Sequence, residues 1–263
     1  MGDGPPIRIR ILGCGSSGGV PRVGGDWGAC DPAEPRNRRT RCSILLTRGR
    51  TRVLIDTSPD LREQLLAADV KHLTAVALTH AHADQLHGLD DLRALYLRGG
   101  LRRIPFFAAP DVLAEVSMRF DYCFREVLNY PPILAGISMT GPISIGEGPE
   151  AIRLEPLMLD HGAIPALGFR VGGLAYMPDV SGIPEPVWPR LDGLTVWVVD
   201  ALRDKPHPSH AHFSRTLEWI ARAKPTRAIL SNMHVDLDYR LTAARCPAGV
   251  EPAWDGMEFD VPA

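Results

Sequence analysis

The chain has 263 residues, 45% of them hydrophobic and 23% charged. This is the composition of a globular protein with material for a large core, and it excludes collagen-like or disordered chains. A formal net charge of −2 gives no global positive field for nucleic acid, so any polyanion contact has to be local. The five cysteines, Cys14, Cys30, Cys42, Cys123 and Cys246, show no C-x-x-C spacing, which argues against a disulfide framework or zinc knuckle and fits a reducing compartment. Met1 to Pro6 lacks a basic segment followed by an apolar run, and no stretch reaches the ~20 apolar residues of a membrane span. The expected location is cytoplasmic, with no membrane partner.

In chain order, Ile7-Arg8-Ile9-Arg10-Ile11-Leu12 alternates with period two and predicts a strand with one buried face. Gly13 to Gly28 reads as a loop. Ser43 to Thr47 and Arg52 to Ile55 predict a hairpin around Arg48-Gly49-Arg50. Asp56 closes the second strand. Ser58-Pro59 is an N-cap and first-turn pair for a helix on which Leu61, Leu65 and Leu66 give one apolar face. Leu73 to Leu78 predicts a buried strand, Leu89 to Tyr96 a helix and Ile104 to Ala108 a further strand. The second half predicts strands over Ile152 to Leu159, Gly168 to Val171, Leu174 to Met177, Thr195 to Asp200 and Ala228 to Leu230, with a helix from Ser214 to Arg222. Proline-rich breaks are too short to act as flexible linkers. Residues 1–263 are therefore expected to form one α/β domain, with two similar β/α halves.

His80-Ala81-His82-Ala83-Asp84 follows a predicted strand. If the chain remains extended there, residues 80, 82 and 84 share a face, and two imidazoles with a carboxylate suit zinc or another first-row divalent ion. The competing reading is a polar turn capping the next helix. His161, Asp179 and His234 also sit at predicted strand ends, where open α/β sheets carry their functional loops. Singly, each would more often be an ordinary turn, surface or core residue.

Thr79 to Gly88 resembles the H-x-H-x-D signature of the metallo-β-lactamase superfamily. Asp160-His161-Gly162, Tyr176-Met177-Pro178-Asp179 and Asn232-Met233-His234 are similar, in the same order, to its later metal-binding landmarks. The finer pattern, from Gly13-Cys14-Gly15-Ser16-Ser17-Gly18 through Asn37-Arg38-Arg39 to His234-Val235-Asp236-Leu237-Asp238-Tyr239, resembles the branch of the phosphoribosyl 1,2-cyclic phosphate phosphodiesterases. The resemblance implies an αββα four-layer sandwich of two mixed sheets and a metal-dependent hydrolase that cleaves a small cyclic or ribose-linked phosphodiester with metal-activated water. It implies that His80, His82 and His161 hold one Zn2+ or Mn2+, that Asp84 and His234 hold a second, and that Asp179 bridges them. Gln85 departs from the pattern, because family members usually carry a second-site histidine there and an amide oxygen is a poorer donor. The expectation is thus one or two ions, with His87 as an alternative ligand. A cysteine-rich structural zinc loop found in some members is missing, since only Cys30 stands in that region.

His207-Pro208-Ser209-His210-Ala211-His212 matches a region where this branch carries a histidine general acid. His210 is the expected acid, with Asp84 as the other catalytic residue, and His207 and His212 as alternatives. Two motifs compete with this reading. Gly13-Cys14-Gly15-Ser16-Ser17-Gly18 formally fits a dinucleotide fingerprint, but Gly19, Pro21, Gly24 and Gly25 oppose the helix that fingerprint needs. The loop's N–H groups and the Ser16 or Ser17 hydroxyl are alternative phosphate contacts. Arg36, Arg38, Arg39 and Arg41 form a basic cluster that could contact a phosphorylated substrate or RNA, but a solvated face is the favoured reading, since no aromatics interleave them for base stacking. The expected partner is a small phosphorylated substrate rather than nucleic acid, and a homodimer is an admitted state. Other functions kept open are a tRNA 3′-processing nuclease, thiolester or lactam hydrolysis, and a non-catalytic metal-binding carrier of the pyrroloquinoline-quinone biosynthesis B type.

Overall fold

The computed structural model describes residues 4–263. Met1 to Asp3, the start of the segment read above for a targeting sequence, lie outside the described residues. The alternating N-terminal run forms β1 (Ile7–Gly13), with Ile7, Ile9 and Ile11 buried and Arg8 exposed. The predicted hairpin is β2 (Ser43–Arg48) and β3 (Thr51–Ile55), paired in register from Ile44↔Ile55 to Arg48↔Thr51. Helix α1 (Leu61–Ala67) has Asp60 at its N-cap position, without a side-chain capping bond, and not Ser58 as predicted. The Ser58 hydroxyl instead accepts a bond from the Asp60 N–H at 3.2 Å, making a turn before the helix. β4 is confined to Ala75–Ala77, shorter than its apolar run.

The extended segment expected across residues 80 to 84 stops at His82, where ψ is 152°. Asp84 lies inside α2 (Ala83–Leu86), because the Gln85 and His87 N–H groups bond back to His82 and Ala83. The period-two argument therefore holds for His80 and His82 but not for Asp84. A 3-10 turn over Leu89–Leu92 leads into α3 (Arg93–Arg98), followed by β5 (Ile104–Ala108). The next three elements carried no sequence expectation: α4 (Pro110–Arg119), α5 (Asp121–Phe124) and β6 (Leu134–Ser138). The second half contributes β7 (Ile143–Ile145), β8 (Ile152–His161), β9 (Ile164–Val171), β10 (Leu174–Met177) and β11 (Val196–Asp200). It continues with α6 (Phe213–Ala223), β12 (Arg227–Ser231), α7 (Tyr239–Arg245), β13 (Val250–Pro252) and β14 (Glu258–Val261).

The strands form two seven-stranded sheets, ordered β14-β1-β2-β3-β4-β5-β6 and β13-β12-β11-β10-β9-β8-β7. Each is mixed in the same way. The β14-to-β3 and β7-to-β10 junctions are antiparallel, and the β3-to-β6 and β10-to-β13 junctions are parallel. One apolar cluster joins Ile9, Leu46 and Val76 of the first sheet to Phe169, Trp197 and Ile229 of the second, and helices cover the sheets. Thus α6 buries Phe213, Thr216, Trp219 and Ile220, one helical face. This is the αββα sandwich expected from the resemblance. No helix among the described residues is long and apolar enough to cross a membrane.

The glycine-rich segment after β1 contains no helix, so it lacks the dinucleotide-binding turn. In the arginine cluster Arg38 is exposed as expected and Arg36 and Arg41 are half-buried, but Arg39 departs from a solvated face. Arg39 is only 1% exposed, and its Nη2 donates to Leu237 O at 2.8 Å and Asn37 Oδ1 at 3.0 Å. Arg36 pairs with buried Glu34, which also receives Arg240. Asn37 adds a 2.6 Å bond to Asp238 and accepts from the Tyr239 N–H at 2.7 Å. These contacts fasten the loop before β2 to residues 237–240, immediately behind His234. Charge patterning missed this because the partners are some 200 positions away in sequence.

Candidate metal centre

The parallel strands of both sheets deliver their C-terminal ends to one edge. Beyond β3, Asp56 adopts a φ of 67° and turns its carboxylate inward. Its Oδ1 accepts from the Thr79 N–H at 2.8 Å and the Thr79 hydroxyl at 3.0 Å. With that hydroxyl proton committed, His80 Nδ1 donates to Thr79 Oγ1 at 3.0 Å and Nε2 keeps its lone pair. His161, which ends β8, has Nδ1 2.6 Å from the Ser209 carbonyl oxygen. A carbonyl only accepts, so this contact likewise leaves His161 Nε2 free.

The two free nitrogens converge on His82 Nδ1, at 3.0 Å for His80 Nε2 and 3.1 Å for His161 Nε2. Desolvation, reinforced by the neighbouring imidazoles, pushes the His80 pKa well below its usual range. His161 is lowered to about 4, chiefly by desolvation and then by His210. Neutral imidazole is the metal-binding form. Three nitrogens within reach of one another, two of them on imidazoles whose tautomers are fixed, make a donor set that fits a late first-row divalent ion.

A second group shares His161. Ligand atoms of His161, Asp179 and His210 lie within 4.8 Å of one another, as do those of His80, His82 and His161. Asp179 follows β10 and is 2% exposed. Its Oδ2 accepts from Gln85 Nε2 at 2.9 Å, and its Oδ1 lies 3.4 Å from Asn232 Nδ2. Burial drives the Asp179 pKa well up, and the charges of Asp84, Asp200 and Asp56 add to this. Asp200, the last residue of β11, is fully buried and accepts from His210 Nδ1 at 2.8 Å and from the Val180 N–H at 3.1 Å. Burial opposes charging of His210, but the Asp200 contact outweighs it and the net shift is upward. The His210 ring lies 4.8 Å from that of His161.

The remaining expected residues fall elsewhere. Asp84 and His234 belong to neither group. Asp84 lines a cleft of about 620 Å³ with Ser17, Arg22, Arg41 and Val23. His234 is held by its N–H on Leu202 O at 2.9 Å, and its Nδ1 lies 3.1 Å from Asp236 Oδ2 without hydrogen-bond geometry. His87 packs its ring 5.8 Å from Phe120 and joins neither group. His207 accepts from the Ser209 N–H at 3.3 Å, and His212 occupies the N-cap of α6. Asp56, Asp200 and Asn232 were not singled out from sequence. The sign available for Asp200 was a carboxylate closing an apolar strand, and for Asn232 its place two residues before His234.

Residues 51–233 match the beta-lactamase superfamily domain. The chain belongs to that superfamily. Among solved structures, a diphosphatase from the PhnP family superposes with a TM-score of 0.88 at 31% identity, covering 97% of this chain and 98% of that one. This agrees with the branch suggested by the motifs. A curated relative from Porphyromonas gingivalis, named octanoyltransferase, is 32% identical over 260 residues, 96% of this chain. The chain spans about half (51%) of that relative's length. Coenzyme PQQ synthesis protein B of Methylorubrum extorquens is 30% identical over 227 residues, 74% of this chain and 72% of that protein.

Proposed function

We propose that this superfamily member is a metal-dependent phosphodiesterase acting on a small phosphorylated substrate. The observation that carries the reading is the convergence of His80, His82 and His161 beside the His210–Asp200 pair. Likeness to the PhnP-family diphosphatase over nearly the whole chain supports phosphoester chemistry. When bound, a divalent ion supplies Lewis acidity and makes water a nucleophile near neutral pH. Three imidazoles favour zinc over manganese for that role.

The side chains supply the rest. Thr79 and the Ser209 carbonyl fix the tautomers of His80 and His161, so that their lone pairs meet. Asp200 binds His210 Nδ1, which leaves Nε2 for a substrate oxygen and favours the protonated ring. His210 then gives its proton to the departing alkoxide, and Asp200 stabilises the ring through the transfer. Asp84, two residues beyond His82, lines a cleft with Ser17, Arg22 and Arg41, whose hydroxyl and guanidinium groups suit a phosphate. Free cysteines suit a cytoplasmic location.

The test is a pair of diesters assayed with metal content. His210→Ala should cost ~100-fold or more with an alkyl or ribose leaving group and little with nitrophenolate, which leaves without protonation. Equal losses on both substrates accompanied by lost metal would make His210 a ligand. Cleavage of a tRNA precursor without any small-diester activity would favour a processing nuclease. Metal binding without hydrolysis of any of these would favour the carrier reading shared with the PQQ relative.

A further inference from the structure

Gln85 stands beside Asp84, where the family resemblance calls for an imidazole toward a second ion. It is fully buried, and its backbone is fixed on both sides, with the N–H bonded to His82 O at 3.1 Å and the carbonyl accepting from the Thr57 N–H at 2.8 Å. The side chain turns a donor, not an acceptor, toward Asp179: Nε2 to Oδ2 at 2.9 Å. Its carbonyl oxygen is buried without a hydrogen-bond partner. Reversing the amide would set two acceptor oxygens against each other at that distance, and the present orientation avoids the repulsion.

The other Asp179 oxygen faces the amide of Asn232 at 3.4 Å. Each oxygen of the carboxylate expected to bridge two ions therefore meets an amide N–H. A hydrogen directed at Oδ2 takes one of that oxygen's two lone pairs and sets a partial positive charge beside it, which opposes a second cation there. The remaining second-site residues, Asp84 and His234, lie outside both groups of converging ligand atoms, whereas His161 belongs to both. Of the two groups, the first is made of three imidazoles, whereas the second shares His161 and adds Asp179, held by Gln85, and His210, whose Nδ1 is bonded to Asp200 at 2.8 Å.

We propose that this centre holds a single divalent ion, on His80, His82 and His161 with Asp179 beside them, and that Gln85 replaces the second ion by donating a hydrogen bond to Asp179. The inference rests on the metal-binding reading above and deepens it, because it fixes the stoichiometry on a feature of this chain. Gln85 is then a positioning residue that holds Asp179 through its amide.

The experiment measures bound metal in the full-length protein, loaded with excess zinc, desalted and analysed by elemental mass spectrometry. The wild type should retain about one zinc per chain. Cobalt titration should saturate its visible absorption at about one equivalent, with no spin-coupled pair. Gln85→His should retain about two, since imidazole replaces the donor with a ligand. Two tightly held ions in the wild type would overturn the inference while leaving the metal centre intact. No retained ion would overturn both readings. A folded Gln85→His protein, checked by circular dichroism, that still holds one ion would remove Gln85 as the cause. The wild-type measurement decides the stoichiometry even if that variant fails to fold.

Discussion

Asp255 offers a test of the fold's electrostatics away from the metal centre. Its Oδ2 accepts from the Thr40 N–H and hydroxyl, both at 2.6 Å, and its Oδ1 accepts from the Cys14 N–H at 3.1 Å. Burial raises its pKa from 3.8 to about 6, and those donors only partly offset the desolvation. A raised carboxyl pKa means that the folded state holds its proton to higher pH than the unfolded state. The stability from that proton is fully present below the unfolded pKa of 3.8 and is lost as pH rises through about 6. At 1.36 kcal/mol per unit the full loss is about 3 kcal/mol, of which about 2 kcal/mol falls between about pH 4.5 and about pH 7.5.

Asp255→Asn removes the titration but turns an amide N–H toward a backbone donor. That leaves the Thr40 or Cys14 N–H unmet, at a pH-independent cost of about 1–3 kcal/mol. The variant should therefore be less stable than wild type at acid pH, and the gap should close or reverse as pH rises. Urea unfolding of both proteins across this range measures the difference, in which other titrating groups cancel. A stability gap that stays constant with pH, or widens as pH rises, would refute the reasoning.

Asp200→Asn should lower the His210 pKa and present an amide N–H to Nδ1, reversing the imidazole tautomer. The alkaline limb of the kcat/KM profile should move to lower pH, and hydrolysis of an alkyl diester near pH 7.5 should fall ~100-fold or more while a nitrophenyl diester is spared. Asn37→Ala removes bonds to Asp238, Arg39 and Tyr239 in a buried network and should cost about 3–5 kcal/mol in urea unfolding. A loss below about 1 kcal/mol would show that the loop before β2 does not depend on this network. Chelation should abolish hydrolysis and lower the melting temperature, with recovery on adding zinc back. Full activity in metal-free protein would remove the proposed function.

Periodicity and motif spacing made much of this architecture legible. The apolar alternation of Ile7, Ile9 and Ile11 put a strand at the start, and apolar runs ending in Asp200 and Ser231 located the parallel strands of the second sheet. His80 and His82 could be paired from sequence because two residues of extended chain set their common face. Local pattern also failed in identifiable places. The strand pairings of β6, β7, β13 and β14 lie at sheet edges where short segments carry little periodic signal, and α4 is marked mainly by Pro110.

Tertiary structure alone decided the rest, because the relevant energies come from partners distant in sequence. Arg39 looked like a surface charge until the fold brought Asn37 and the Leu237 carbonyl to it. Asp200 became the partner of His210 because β11 ends beside the loop that carries that histidine. Gln85 was visible as a departure from the motif. Its meaning was not, because one-dimensional spacing identifies an amide but does not show which end faces Asp179. The sequence determined which residue types reach the strand ends. Packing of the two sheets determined which lone pairs and N–H groups meet there, and hydrogen bonding depends on that direction as well as on proximity.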